Sequence, residues 1–544
     1  MDAPGASRTR LIMIAVILLV ATAVYGNTLL NGFVYDDEHQ ILNNPWIRDF
    51  GYLPHVFASN VWEFMGNVTN YYRPLMHTIY MIEYHLFGLT PWGFHLVNIL
   101  LNSGISVLVF LIVARLLRQA VPSASASSLF PPFAAALLFA THPIHTEVVA
   151  WIAGVPELAF TFFYLVSFYL FVLAEERMTW QHVLSAGSFF LATLCKETAL
   201  TLPIILIVYD LTLRPAKSSL RECLRRYVPY VVVVVGYFIL RVNALKGFAP
   251  VSAHKELGNS QYVANVFPVF AAYLEKLLVP VNLNAFHILH PLRSIFEGRG
   301  LFALAVTVAF VTASGAAFRK SRVLFFGCVL IVVPLLPALY IPGLGENTFA
   351  ERYLYLPSLG FVLMAAWCIT LAVRNPGGVV AAAVTVVLVA GGYATGTVLR
   401  NAVWRDNYAL WSDTVKKSPD GAVPHYNYGN SLIPLGRLDE AIEQYKISIA
   451  IKPSADACYN LGRTYDRKGL PGQAVEQYRQ AVALRPDDAD SYNHLGFDYV
   501  LLGQVDEGIR NLEIAVSLKP FDQSARGNLA YAYSMKAASG RAAR

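Results

Sequence analysis

Residues 11–30 read LIMIAVILLVATAVYGNTLL, a predominantly apolar run of 20 residues. A helix of about 20 such residues can cross a bilayer core of roughly 30 Å. Arg8 and Arg10 precede the run, as in a signal peptide. However, no AxA-type cleavage site follows cleanly, and the run is long for the apolar part of a signal peptide. We therefore interpret it as a retained first transmembrane helix.

Further apolar runs predict about eleven membrane spans. The ten that follow the first centre near residues 93–114, 130–142, 156–174, 181–195, 199–213, 227–243, 300–318, 323–341, 353–373 and 378–398. With the N-terminus in the cytoplasm, 14 basic residues fall in cytoplasmic loops and 9 in the longer outer loops, as the positive-inside rule requires. The apolar stretch 262–280 is then a helix within an outer loop. An odd number of spans places the C-terminal part outside the cytoplasm.

The composition excludes an ordinary soluble enzyme and a disordered chain. Of the 544 residues, 56% are hydrophobic and 14% are charged, whereas a soluble domain carries about 25% charge. Residues 405–544 hold 34 of the 78 charged side chains, which indicates a soluble domain after the membrane domain. The net charge of +6 is modest and dispersed, so we expect no nucleic-acid partner. The five cysteines lack zinc-site spacing and predict no disulfide framework.

A repeat of 33 or 34 residues begins after residue 420. Its copies are HYNYGNSLIPLGRLDEAIEQYKISIAIKP, CYNLGRTYDRKGLPGQAVEQYRQAVALRP and SYNHLGFDYVLLGQVDEGIRNLEIAVSLKP. Gly429, Gly462 and Gly496 are equivalent in the three copies, and small residues at such positions let paired helices approach closely. This period and pattern are typical of tetratricopeptide repeats.

These patterns predict an all-α chain with two domains. The first, residues 1–400, is a polytopic membrane domain with outer loops 31–92 and 244–299. A linker helix follows at 401–420. Residues 421–544 then form a tetratricopeptide α-solenoid of about three and a half repeats on the non-cytoplasmic side.

Ionisable residues at membrane depth are costly and point to function. Here they occur in motifs that the predicted topology brings to the same outer surface. The motifs are VYDDEHQILNNP with Asp36 and Asp37, NYYRPL with Arg73, THPIHTEVVAW with His142, His145 and Glu147, CKET with Lys196 and Glu197, and AERYLYLPSLG with Arg352. Carboxylates can act as bases, and Arg, Lys and His can hold a phosphate. The convergence predicts a site at the membrane–water boundary.

Each motif also has a purely structural interpretation. Paired aspartates can cap a helix, Lys196 and Glu197 can neutralise each other, and Arg352 can mark a membrane boundary beside aromatic residues. His142 and His145 have a spacing that could suit a metal. Pro143 breaks the local helix, though, and no third ligand has recognisable spacing, so no metal site is predicted.

Three asparagines occupy one equivalent position in the repeats: Asn427, Asn460 and Asn528, with His494 in the third copy. An asparagine amide can both donate to and accept from a peptide backbone. These side chains are therefore candidates for binding an acceptor peptide. The alternative is a structural role, since asparagine is common at this repeat position.

The membrane motifs, together with YYRPL…LTPWGFHLVNILLN, HPIHTEVVAWIAGVPEL and LCKETALTLPIILIVYDL, resemble the transmembrane and tetratricopeptide-repeat protein O-mannosyltransferase family. The resemblance covers nearly the whole chain, in order. It implies a GT-C glycosyltransferase fold and a sugar donor, often mannose, linked to polyprenyl or dolichyl phosphate. Two features depart from the family: the repeat array is short, and Val155 stands where a basic residue often follows the glycine of the third motif.

The resemblance also implies roles for the polar residues. Asp36 is the expected base for a Ser or Thr hydroxyl, and Asp37 is its neighbour, orienting the acceptor. The expected donor-binding residues are Arg73, His142, His145, Glu147, Lys196, Glu197 and Arg352. Protein cations can hold the leaving phosphate, so neither a metal nor another cofactor is required.

We therefore expect an inverting membrane glycosyltransferase whose repeats present a protein acceptor. One alternative keeps the chemistry but transfers the sugar to a cell-envelope glycan or lipid. A second alternative is a non-catalytic membrane scaffold that recruits partners through its repeats. The Ala- and Val-rich composition favours a bacterial inner membrane with periplasmic repeats, and the endoplasmic reticulum is the other possible location.

Overall fold

The structure is a computed structural model that describes residues 4–120, 129–174, 180–214, 220–248, 258–341 and 347–542. Within these ranges it contains α-helices and short 3-10 or π turns and no β-strand, which confirms the predicted all-α class. The chain divides into two compact units, Met1–Asp406 and Asn407–Arg544. The helix of the predicted linker begins at Asn407 and is therefore the first helix of the second unit.

The first unit contains fifteen helices within the described ranges. They are α1 (Pro4–Tyr25), α2 (Leu53–Ala58), α3 (Pro74–Phe87), α4 (Pro91–Ala120), α5 (Phe130–Thr141), α6 (Thr146–Ala150), α7 (Val155–Leu173), α8 (Trp180–Cys195), α9 (Leu202–Thr212), α10 (Leu220–Leu245), α11 (Asn259–Leu278), α12 (Gly298–Lys320), α13 (Arg322–Leu335), α14 (Ser358–Ala372) and α15 (Pro376–Asn401).

All eleven apolar runs of the sequence contain a helix, and the chain is a multi-pass membrane protein. In the described ranges, seven helical segments are long and apolar enough to span a bilayer. An eighth candidate is the pair Phe130–Thr141 and Pro143–Ala150, which is bent by 48°. The helices α8, α9 and α14 have 16, 11 and 15 residues, so they are only about 24, 17 and 23 Å long. The structure thus gives seven or eight full-length spans where the sequence predicts about eleven.

The stretch 262–280, for which the sequence predicts a helix in an outer loop, lies almost entirely in the helix α11, which ends at Leu278. One face of α11 is buried and packs against the segment before α14: the rings of Tyr273 and Phe349 stack with centroids 4.4 Å apart. Phe270, Leu277 and Leu354 are buried in the same cluster. This packing supports the chain on either side of Arg352.

Side-chain exposure distinguishes the core of the first unit from its surface. Phe139, Phe168 and Phe326 are fully buried at the centre of the bundle. By contrast, Phe302 on α12 and Leu388 on α15 each expose 70% of their area. Apolar surface of this extent is expected to face lipid.

The second unit consists of α16 followed by three helix pairs and a final helix. These are α16 (Asn407–Lys417), α17 (Ala422–Leu432), α18 (Leu438–Ile451), α19 (Ala455–Arg467), α20 (Pro471–Leu484), α21 (Ala489–Leu501), α22 (Val505–Leu518) and α23 (Gln523–Ala542). A Cβ atom at Gly462 would lie 2.7 Å from the ring of Tyr478, so the paired helices approach as closely as the repeat pattern predicts. Gly469 turns the chain between the two helices with a φ of 69°.

Candidate active site

The ends of several helices in the first unit enclose a cavity of about 240 Å³. Its wall is formed by the loop before α3, the first turns of α7, the segment after α8, the C-terminal part of α10, the end of α13 and the segment before α14. Six of the residues that line it are charged, and five of these come from motifs far apart in the sequence. Arg73, Glu157, Lys196, Glu197 and Arg352 therefore meet at one place.

Arg73 and Glu197 form a two-pronged ion pair across the cavity wall. Arg73 is the last residue before α3, where Pro74 begins the helix, and Glu197 opens the 3-10 turn after α8. The guanidinium donates hydrogen bonds of 2.8 and 3.2 Å to the two carboxylate oxygens. Burial disfavours the charged carboxylate, but the Arg73 guanidinium outweighs it and lowers the pKa of Glu197 to about 2. Glu197 thus remains ionised and holds Arg73 in position.

Lys196 pairs with Glu157, which lies in the first turn of α7. Both side chains are buried, and the ammonium also lies 4.6 Å from the centroid of the Tyr353 ring. Burial lowers the pKa of Lys196 to about 8, although the Glu157 carboxylate opposes the shift. Lys196 is therefore charged at neutral pH and loses its charge in mildly alkaline solution.

Arg352 is held by Glu147. The backbone N–H of Arg352 donates to one oxygen of Glu147 at 2.9 Å, and the guanidinium pairs with the other. The Arg352 Nε atom also lies 3.9 Å from Glu157, so Glu157 faces both Lys196 and Arg352. Glu147 is itself buried, which fixes the arginine at the edge of the cavity.

A fourth cation, Arg241 on α10, completes the cavity wall. Its guanidinium donates to the backbone carbonyl of Asn70 at 2.8 Å. The cavity lining has four cations and two carboxylates, and Glu147 beside Arg352 reduces the excess to one formal positive charge; Asp36 does not line the cavity, although its carboxylate interacts with Arg352. Sequence reasoning assigned no role to Arg241 or Glu157, although both are ionisable residues inside apolar runs and the cost of burying them could have identified them.

The two adjacent aspartates have different environments. Asp37 is fully buried, and its carboxylate accepts backbone N–H bonds from Val34 at 2.9 Å and Ala153 at 2.8 Å. Asp36 is partly exposed, and no described residue donates a hydrogen bond to its side chain. Burial raises the pKa of Asp36 to about 6, although the positive charge of Arg352 opposes the rise. Asp37 therefore secures the loop, while Asp36 has a carboxylate available for chemistry.

An aromatic stack connects the aspartate loop with Arg352. Tyr35 adopts a left-handed backbone conformation with a φ of 55°, and its ring stacks on Trp151 at 5.6 Å. Trp151 stacks on Trp404 at 5.8 Å, and the Arg352 guanidinium lies 5.7 Å from a Trp151 ring. A short π-helix, Glu38–Leu42, follows the aspartates. Left-handed non-glycine residues and π-helices occur preferentially at functional sites.

His142 and His145 are not among the residues that line the cavity. Both are fully buried at the bend between α5 and α6. The ring of His142 bonds to the carbonyl of Leu277 at 3.2 Å, and His145 bonds to the hydroxyl of Ser358 at 2.9 Å. The structure thus leaves the two histidines out of the cavity wall, and their bonds join α11 and α14 to the bend. In the described part of the chain, no group of three or more His, Cys, Asp or Glu side chains is arranged to hold a metal.

The asparagines of the repeats lie between neighbouring helices. Asn460 donates to Asn430 and to the hydroxyl of Tyr426, both at 3.0 Å, and Asn528 donates to Asn493 at 2.9 Å. These bonds join successive repeats. Asn460 also lines a second cavity, whereas Asn427 and Asn528 do not.

Comparison with known proteins finds relatives of the tetratricopeptide repeats and of the longer chain that includes the membrane unit. Family models described as tetratricopeptide repeats match residues 423–454 and 472–503, which confirms the predicted repeats. A protein O-mannosyl-transferase of Caenorhabditis elegans is 28% identical over 80% of this chain and 63% of its own length. The mouse protein O-mannosyl-transferase TMTC3 is 28% identical over 81% of this chain and 51% of its own length.

The human protein O-mannosyl-transferase TMTC4 is 28% identical over 78% of this chain and 64% of its own length. The chain therefore spans between about half and two thirds of the length of these curated relatives. The resemblance predicted from the motifs is confirmed at the level of homology.

Proposed function

We propose that this protein is an inverting membrane glycosyltransferase. It transfers a sugar, for which mannose is the leading candidate, from a polyprenyl or dolichyl phosphate to Ser or Thr hydroxyls of proteins. The observation that carries the proposal is the cavity with an excess of positive charge, formed in a chain homologous to protein O-mannosyl-transferases. A wall of this kind suits a lipid-linked phosphate.

The transfer requires one bond to form and one to break at the anomeric carbon. The acceptor oxygen attacks this carbon while Asp36 takes the hydroxyl proton. The bond from the anomeric carbon to the phosphate oxygen breaks, and the oxygen keeps the electron pair. Arg73, Lys196, Arg352 and Arg241 stabilise the charge that develops on the phosphate. Attack from the face opposite the phosphate inverts the configuration.

In this proposal the remaining polar residues act as positioning groups. Glu147, Glu157 and Glu197 hold the cations of the cavity, and Asp37 holds the loop that carries Asp36. His142 and His145 support the bend between α5 and α6 and do not contact the donor. No metal or cofactor is needed, because the cations of the protein bind the phosphate.

The site faces the non-cytoplasmic side, and the repeats lie outside the cytoplasm to receive acceptor proteins. We place the protein in a bacterial inner membrane with periplasmic repeats. The basis is the distribution of basic residues and the Ala- and Val-rich composition of the sequence. The endoplasmic reticulum membrane is the alternative location.

The first test is transfer from radiolabelled polyprenyl-phosphate mannose in membranes that contain the wild type or Asp36→Asn. The amide keeps the shape of the carboxylate but cannot accept the proton, so we expect a loss of at least about 100-fold, the usual contribution of a general base. The product is fractionated into protein, glycan and lipid. Label in glycan or lipid would change the acceptor class, and a fully active Asp36→Asn would overturn the assignment of the base.

The pH dependence of transfer provides a second readout of the same base. Because Asp36 works only when ionised and burial raises its pKa to about 6, the rate should fall about tenfold per pH unit below that value. The residual activity of Asp36→Asn should lack this decline. A flat profile in the wild type down to pH 4 would contradict the assignment.

A further inference from the structure

A second cavity lies in the repeat unit, between the first helices of the first two repeats. It has a volume of about 150 Å³ and is lined by Asn430, Ile433, Tyr445, Asn460, Arg463, Thr464 and Arg467. The two arginines lie one turn apart on α19, and both are exposed. The cavity therefore presents two guanidinium groups beside an aromatic and amide floor.

The arginines of this cavity lack the ion pairs that neighbouring cations have. Seven other basic residues of the unit pair with a carboxylate: Lys417 with Asp413, Arg437 with Glu440, Lys468 with Asp439, Arg485 with Asp456, Arg510 with Glu507, Lys519 with Asp490 and Lys536 with Asp506. Neither Arg463 nor Arg467 has an ion pair among the described residues, and the same holds for Lys416, Lys446, Arg479 and Arg526. What distinguishes Arg463 and Arg467 is that both line one cavity. Residues 407–544 contain 16 basic and 16 acidic side chains, so the unit as a whole has no excess of positive charge.

The packing of the repeats does not require arginine at these positions. One residue and five residues after the repeat glycine, the first repeat has Asn430 and Pro434, and the third has Phe497 and Leu501. The equivalent positions of the second repeat are Arg463 and Arg467. The positive charge is thus specific to one repeat, as expected of a binding feature and not of the solenoid architecture.

The donors that this cavity offers to a ligand come from its two arginines, because the hydrogen bonds of Asn430 are made within the repeats. The Asn430 side-chain oxygen accepts from Tyr445 at 2.7 Å and from Asn460 at 3.0 Å. Its amide group hydrogen-bonds to the hydroxyl of Tyr426. The cavity therefore offers two guanidinium groups, whose donors match the two acceptor oxygens of a carboxylate.

We propose that this cavity binds an Asp or Glu side chain of an extended peptide, and that the preferred acceptors are Ser- or Thr-containing segments with acidic residues. The inference rests on the proposed function only in treating the bound peptide as an acceptor. Binding itself needs no sugar donor.

The test is fluorescence anisotropy with the full chain in detergent, without a sugar donor. The probe is a labelled peptide of alternating Ser, Glu and Thr. The comparison peptide has the same sequence with Gln in place of Glu. We expect the Glu peptide to bind at least about tenfold more tightly, a difference of about 1.4 kcal/mol. Raising the salt concentration should weaken its binding and not that of the Gln peptide.

Variants separate the cavity from the general charge of the unit. Arg463→Ala with Arg467→Ala should reduce binding of the Glu peptide to that of the Gln peptide. The matched control is Arg479→Ala with Arg510→Ala, which removes the same charge from exposed residues on the second helices of two repeats. The control should bind as the wild type does. The melting curve of the double variant shows whether its repeats are folded. If the curve changes, the single variant Arg467→Gln replaces the double variant in the binding test.

Equal binding of the Glu and Gln peptides, or an equal effect of the control pair, would overturn the proposal. Binding of vesicles rich in anionic lipid without binding of the peptide would do so as well, since it would assign the arginines to a membrane surface. Asp36→Asn should bind the peptide normally while it fails to transfer sugar. Loss of the acidic-peptide site and loss of the proposed reaction are therefore distinguishable.

Discussion

Two adjacent aspartates with the same chemistry have opposite surroundings. Asp37 has both oxygens occupied by backbone N–H groups, so it behaves as a clamp between its own loop and the turn at Ala153. No described residue donates a hydrogen bond to the Asp36 carboxylate, which is partly exposed. The residue before the pair, Tyr35, has a left-handed backbone conformation. A clamp and a base can therefore occupy neighbouring positions in the chain.

The identical substitution at the two positions should separate these roles. Asp37→Asn places an NH₂ group against a backbone donor, and a buried donor left unpaired costs about 1–3 kcal/mol. We expect a lower unfolding midpoint for Asp37→Asn and an unchanged or slightly higher one for Asp36→Asn, whereas both lose transfer. Thermal unfolding of the purified chain measures this. Equal midpoints for the two variants would contradict the role of Asp37 as a clamp.

At this scale the sequence identifies the residue types but not their pairing. Arg73, Lys196, Glu197 and Arg352, which the motifs single out, line one cavity in the structure. Which carboxylate holds which cation depends on contacts between residues as far apart as Arg352 and Glu147, 205 positions along the chain. No local spacing encodes such a contact.

The helices of the repeats depend on glycine where two of them approach. A Cβ atom at Gly462 would meet the Tyr478 ring at 2.7 Å, and Tyr478 is fully buried. Overpacking of this kind costs about 1–3 kcal/mol. We therefore expect Gly462→Ala to lower the unfolding midpoint of the repeats, followed by circular dichroism.

Gly472 provides the matched control for this prediction. It lies in the first turn of α20, and a Cβ atom there would contact nothing within 4 Å. Gly472→Ala should be neutral or stabilise the repeats by up to about 1 kcal/mol, because alanine restricts the unfolded chain. Equal destabilisation by both substitutions would show that helix approach is not the cause.

Helix positions could be predicted from apolar runs, but helix lengths could not. The runs at 130–142 and 199–213 have the composition of spans, yet Pro143 bends the first and α9 has only 11 residues. A proline removes a backbone donor and cannot continue a straight helix. Short apolar helices are stable in lipid only where neighbours shelter their ends. That shelter is a property of the assembled bundle and does not appear in a hydropathy window.

For the whole molecule, the proposed orientation predicts which ends of the spans face the cytoplasm. The helix α12 has 23 residues, or about 35 Å, and carries Arg299 and Lys320 near its ends. In a chain whose native cysteines are replaced, Arg299→Cys should react with an impermeant thiol reagent in intact cells. Lys320→Cys should react only after permeabilisation.

A cysteine in the repeats tests the other half of the orientation. Glu443 is exposed on α18, and Glu443→Cys should be labelled from outside together with Arg299→Cys. Labelling of Lys320→Cys from outside would reverse the topology. Labelling of Arg299→Cys but not of Glu443→Cys would mean that the number of spans after α12 is wrong.

The surplus positive charge of the main cavity has a consequence for turnover. A sugar-linked phosphate is a diester with one negative charge, whereas the spent lipid phosphate carries about −1.5 to −2 at pH 7 because its second pKa is about 6. The same four cations therefore attract the spent carrier more strongly than the loaded one. If the proposed reaction is correct, we expect release of the carrier to be the slow step, and transfer to slow when carrier without sugar accumulates in the membrane.

Added polyprenyl phosphate should accordingly compete with the donor, with an inhibition constant below the KM of the donor. Inhibition should strengthen as the pH rises through about 6, where the carrier gains charge. It should weaken near pH 8, where burial has placed the pKa of Lys196. Steady-state transfer at several pH values measures this, and the absence of competition at carrier concentrations above the KM would contradict it. The rate of sugar transfer to protein would then depend on the fraction of the lipid carrier that is loaded with sugar.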